Sequence, residues 1–117
     1  MNLSEPLTSL PEKEQELRKD SLAEIDYYGV KKAGLILRAL NHKLRQQIIK
    51  TITESKKLTV TELYVRLRLE QSVASQHLAV LRKAGFVTTT RDGKFIHYSV
   101  NAERMLELNR FVEELLN

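Results

Sequence analysis

The sequence predicts a mainly α-helical domain with a small β-hairpin, on three observations. Residues 70–84 form a helical repeat in which Ala74, Leu78, Leu81 and the following Gly85 share one face, while Ser72, Ser75, Gln76, Ala79 and Lys83 share another. Just before it, Thr59-Val60-Thr61-Glu62 has the form of a capping box, and Val60, Leu63, Tyr64 and Leu67 give a short helix with one apolar face. Just after it, Asp92-Gly93 stands between two strand-like runs, the strongest short-range hairpin signal in the chain. Two short helices joined by a brief turn at residues 68–70 and followed by a hairpin describe a winged helix-turn-helix.

Composition sets the bounds. At 117 residues the chain is read as one domain over residues 9–117, with residues 1–8 a disordered tail. The net charge of +4 hides an asymmetry: residues 1–26 carry seven acids against three bases, and the rest carries sixteen bases against eight acids. So basic a body suits an anionic partner, most often nucleic acid. With no cysteine, the chain has neither a disulfide framework nor thiolate chemistry. There is no 18-residue apolar run and no signal-peptide pattern, so the expected location is the cytoplasm, with no membrane partner.

In chain order, Ser9 and Glu12 suggest a capping box with Pro11 in the first turn. Residues 12–20 are too polar to make a core face alone. From Leu22 onward Ile25, Tyr28, Ala33, Ile36, Leu37 and Leu40 recur at three or four residues, so one long N-terminal helix is expected, with Gly29 and Gly34 as points of kinking. Such a helix is hard to bury in a monomer of this size. It lies against a second subunit or stands as a frayed arm. A helix is expected next over residues 41–54, capped by Asn41, with Leu44, Ile48, Ile49 and Ile52 inward. Ser55-Lys56-Lys57 reads as a polar connector.

Gly85 closes the helix of residues 70–84, and Phe86-Val87 begins a strand. An Asp92-Gly93 turn would set Arg91 opposite Lys94, Thr90 opposite Phe95 and Thr89 opposite Ile96, with Ile96, Tyr98 and Val100 facing inward. Two like charges face to face would repel, a cost that a phosphate between them would offset. The final helix, residues 101–116, carries Met105, Leu106, Leu108, Phe111, Val112, Leu115 and Leu116, a stripe wider than one core face requires. The surplus points to a dimer interface, for which Leu22, Ile25, Tyr28, Met105, Leu108, Val112 and Leu115 are the candidates.

The exposed face of residues 70–84 carries small hydroxyls, an amide and an alanine where a solvated helix usually carries long charged pairs. Short polar groups allow close approach to a major groove, where Gln pairs with adenine and Ser bonds base edges or phosphates. The DNA-contacting candidates are therefore Gln71, Ser72, Ser75, Gln76, His77 and Lys83, with Arg91 and Lys94 on the wing. His77 sits on the flank of the packed face, so a hydrogen-bonded structural role competes with base reading.

From residue 39 to residue 100 the chain resembles the ArsR/SmtB family of bacterial winged helix-turn-helix regulators. The resemblance rests on Ala39-Leu40 with Arg45 and Ile48-Ile49, on the run from Glu70 to Gly85 containing Ser75-Gln76-His77-Leu78, and on Gly93-Lys94 followed by Tyr98. It implies a homodimer joined through first and last helices that represses transcription by occupying an imperfect palindromic operator. The chain departs from the family pattern at Glu70, where relatives have serine. Thr59-Val60-Thr61 stands where metal-sensing relatives carry Cys-Val-Cys, and a hydroxyl cannot replace a thiolate for a soft metal. No metal site and no cofactor are expected. His42, His77 and His97 fall on three different elements, and no phosphate loop or nucleophile with its base appears, so an enzyme is not expected. The expected partners are double-stranded DNA and a second copy of the chain, with an unknown effector or protein partner left open. A protein-interaction module is the alternative, although Ser72, Ser75 and Gln76 are poor protein anchors.

Overall fold

The computed structural model describes residues 9–22 and 24–117, and for residues 20–22 the backbone alone. The expected tail of residues 1–8 and the side chain of Leu22 lie outside the described residues. The chain divides into two compact units, Met1–Lys32 and Ala33–Asn117.

Two helices stand where one long helix was expected: α1, Glu12–Leu22, and α2, Tyr27–Leu40. The break has a local cause. Asp26 Oδ1 accepts the Gly29 N–H at 2.9 Å and the Asp26 carbonyl accepts the Val30 N–H at 2.9 Å, so Asp26 caps a new helix. Gly29 makes room for that cap, since a Cβ there would lie 2.3 Å from Asp26 Oδ2. Neither Gly29 nor Gly34 interrupts α2.

In the second unit, α3 spans Lys43–Ser55. Its cap is His42, not the expected Asn41: His42 is extended (φ −156°, ψ 121°) and its Nδ1 accepts the Arg45 N–H at 3.3 Å. Asn41 is still held by the preceding helix, its N–H donating to the Leu37 carbonyl at 2.9 Å. A two-residue strand, β1 (Leu58–Thr59), follows where a plain connector was read. Helix α4, Val60–Leu67, opens on the expected capping box, with both the Thr59 and the Glu62 bonds formed. Arg68 ends it in the left-handed region (φ 54°), and α5 follows over Gln71–Lys83. Gly85 turns the chain at φ +86° into β2 (Val87–Asp92), β3 (Phe95–Val100) and α6 (Ala102–Leu116), the last capped by Asn101.

The sheet is antiparallel in the order β1-β3-β2. Its register corrects the expectation by one residue. Asp92 pairs with Phe95, Arg91 with Ile96 and Thr90 with His97, so Gly93-Lys94 forms the two-residue loop and Arg91 does not face Lys94. Glycine at the first loop position, with φ +61°, suits a turn that needs one positive φ there, whereas an Asp92-Gly93 turn would put a non-glycine residue in that region. Of the expected inward trio, Tyr98 and Val100 pack on the core and Ile96 is half exposed.

The core is a single cluster built from Ile48, Ile52, Leu58, Leu63, Leu78, Leu81, Phe86 and Val87, each essentially removed from water. Each such side chain contributes about 1.5–3 kcal/mol. Because α3, α4 and α5 each lend residues to it, the core fixes the orientation of α5 and hence of its outer face.

Candidate nucleic-acid interface

Helix α5 buries Ala74, Leu78 and Leu81 and exposes Gln71, Ser72, Ser75, Gln76, Ala79 and Lys83. The two faces separate as the 3.6-residue period requires. The turn leading into it is tight: the Arg68 N–H donates to Tyr64 and Val65 carbonyls, and the Leu69 N–H donates to the Tyr64 carbonyl at 2.9 Å. Glu70 occupies the N-cap of α5 but makes no side-chain capping bond. The first-turn N–H groups therefore remain open to an external acceptor.

Arg82, which sequence reasoning passed over, belongs with these residues. It is exposed in the last turn of α5 and lines a shallow groove with Ser75, Ala79, Lys83 and Tyr98. The signal was available, since positions 75, 79 and 82 follow the i, i+4, i+7 spacing of one face. The groove thus joins small polar groups to two cations at the end of the helix.

His77 stands apart from the exposed face. Its ring is partly buried 4.8 Å from that of His42, and its Nδ1 lies 3.2 Å from Arg45 Nη1. Burial pushes the His77 pKa below its ordinary value, and the neighbouring His42 and Arg45 add to that effect. A neutral ring accepting at Nδ1 is the form this site holds. Arg45 also donates Nε to the Ala39 carbonyl at 2.6 Å and Nη2 to the Arg38 carbonyl at 3.0 Å, so one guanidinium joins the end of α2 to α5.

On the wing, Arg91 and Lys94 are both exposed. Arg91 Nε donates to the Gly93 carbonyl at 3.0 Å, and the Lys94 ammonium lies 5.6 Å from the centre of the half-exposed Phe95 ring. The tip is cationic, with one aromatic ring beside it. Among the described residues no group of three or more His, Cys, Asp or Glu side chains could hold a metal ion. Nor is any helix among them long and apolar enough to cross a membrane.

A packed helix-turn-helix with a polar, exposed second helix and a basic hairpin defines a winged helix-turn-helix protein of the DNA-binding class. Comparison with known proteins leads to the same class. The profile of the family described as "Bacterial regulatory protein, arsR family" matches residues 42–89. The transcriptional activator HlyU of Vibrio cholerae is 34% identical over 105 residues, covering 87% of this chain and 88% of that protein. The transcriptional repressor PagR of Bacillus anthracis is 32% identical over 78 residues, covering 67% and 78%. Among solved structures, HlyU from Vibrio vulnificus aligns with a TM-score of 0.57 at 33% identity, over 75% of this chain and 91% of that one. PagR aligns at 0.58 and 29% identity, over 79% and 100%. The chain belongs to the arsR family of bacterial regulatory proteins: it is a DNA-binding transcriptional regulator and not an enzyme.

Proposed function

We propose that the chain works as a cytoplasmic homodimer that represses transcription by occupying an imperfect palindromic operator. The observation that carries this reading is the outer face of α5, where exposed Ser72, Ser75 and Gln76 sit directly over buried Ala74 and Leu78. A rigid, core-anchored helix with short polar groups can approach base edges closely. Gln71, Ser72, Ser75 and Gln76 read bases or the phosphates beside them, while Arg82, Lys83, Arg91 and Lys94 hold the backbone. His77, engaged by Arg45, positions the helix and does not read it.

Dimer formation is supported by apolar side chains left in water. Ile25 and Tyr28 are 56% and 69% exposed, and on α6 Leu106, Phe111, Leu115 and Leu116 are exposed as well. Met105 and Leu108, also named as interface candidates, pack on the chain's own core, so α6 divides its stripe between two tasks. Two subunits would set their α5 helices about 34–36 Å apart, one turn of duplex. Relatives carry both signs of regulation in their names, and the repressors among them, PagR and the biofilm growth-associated repressor of Agrobacterium fabrum, favour repression.

Light scattering of the purified chain tests the assembly. The wild type is expected at dimer mass and Leu115→Glu at monomer mass, with DNA affinity lost together with the dimer. A monomer that binds duplex at full affinity would remove the palindrome from this reading.

A further inference from the structure

Beside the core, Ile36, Phe86, Leu108 and Phe111 enclose an apolar cavity of about 170 Å³ whose polar rim is formed by Arg104 and Glu107. An apolar cavity of about 150 Å³ is large enough for benzene. Arg104 is held by three contacts. Its Nε donates to the Ala84 carbonyl at 3.2 Å, its Cζ lies 5.8 Å above the buried Phe86 ring, and its Nη1 meets Glu107 Oε2 at 3.3 Å. Glu107 is 65% exposed, so its carboxylate can leave for water at little cost, and a ligand carboxylate could take its place on the guanidinium.

We infer that this cavity binds a small apolar monocarboxylate of about benzoate size, its ring among Phe86, Leu108 and Phe111 and its carboxylate on Arg104. The inference deepens the regulatory reading and rests on it, because the site touches the end of the recognition helix. Ala84 is the C-cap of α5, and Asn101 Nδ2 donates to the Gly85 carbonyl at 3.1 Å. A Cβ on Gly85 would lie 3.2 Å from Arg104 Nε. An Arg104 drawn toward a ligand loosens its bond to Ala84, and the last turn of α5 carries Arg82 and Lys83. The ligand therefore weakens DNA binding, within the about 5- to 150-fold range of ordinary coupling.

The probe is benzoate, titrated into the DNA-free full chain by amide NMR, with benzyl alcohol as the uncharged match. Saturable binding is expected at a Kd of about 1 mM or tighter, with resonances of Ala84 and Gly85 moving, and benzyl alcohol at least tenfold weaker. Glu107→Gln removes the competing carboxylate and should tighten benzoate up to about fivefold. Ala33→Phe, which fills the cavity from its wall, should abolish binding. No saturation in the wild type, equal binding of the alcohol, or full binding by Ala33→Phe would each overturn the inference. DNA affinity measured without benzoate is a separate readout, so a failure here and a failure of the DNA-binding reading remain distinct.

Discussion

Arg45 Nη1 lies 3.2 Å from His77 Nδ1, and this contact joins α3 to the helix that carries the DNA-facing residues. The same guanidinium bonds two carbonyls at the end of α2. Arg45 thereby sets the pose of α5 without touching its exposed face.

Replacing Arg45 should therefore cost more than an ordinary surface change. Arg45→Ala is expected to lose about 1–3 kcal/mol in urea unfolding, since three acceptors lose a charged donor. Arg45→Lys should recover little, because an ammonium lacks the planar fork that reaches all three. A lysine variant with wild-type stability would show that the fork is unimportant.

Stability should fall as the solution is acidified. His77 has a lower pKa folded than unfolded, so the unfolded chain binds the proton more readily. Its contribution is whole above the unfolded value of about 6.5 and is lost as pH falls through the folded value. Urea midpoints measured across this range should drop on the acid side, and His77→Gln should flatten the drop. Glu62, whose carboxyl is held low mainly by the Thr59 backbone and hydroxyl, acts in the same direction within the carboxylate range. The two effects separate on the pH axis.

Two positions with positive φ should respond oppositely. Arg68, at φ 54°, occupies a conformation that glycine takes freely, and Arg68→Gly should stabilise the chain by up to about 1 kcal/mol. Gly85, at φ +86°, also has Arg104 against it, so Gly85→Ala should cost about 1–2 kcal/mol from backbone strain. Thermal midpoints of both variants check the pair, and a shift of the same sign in both would contradict the argument.

Base reading and phosphate holding should part under mutation. Gln76→Ala should change preference at one base position, whereas Lys94→Ala should weaken all sequences alike and reduce the salt slope by about 1. With about 6–10 phosphate contacts per dimer, affinity should fall about 10³- to 10⁵-fold between about 50 and 200 mM salt. Fluorescence anisotropy over a salt series measures both effects. Uniform loss in both variants would contradict the division of roles.

Which parts of this were legible in the sequence depended on how local their causes are. The two faces of α5 and the Thr59–Glu62 box follow from spacing within a few residues, and both stand in the structure as expected. The break at Asp26 was hidden because apolar spacing runs on across it, while one carboxylate bond to Gly29 restarts the helix. The hairpin was placed but set one residue out of register, since Asp-Gly statistics favoured a turn that the lone positive φ at Gly93 excludes. His42 as a cap and β1 as a strand depend on what lies nearby: the end of α2 in one case and β3 in the other. Arg45, Arg104 and their acceptors are separated by up to 32 residues, a distance that periodicity does not reach.

Selection of bound sequences from a random duplex library, with purified metal-free protein at two salt concentrations, tests the central claim most directly. The predicted result is enrichment of an imperfect palindrome whose half-sites lie about 10 bp apart, weaker at the higher salt. Enrichment of no sequence at either salt would contradict operator recognition by α5 and turn its polar face toward a protein partner instead.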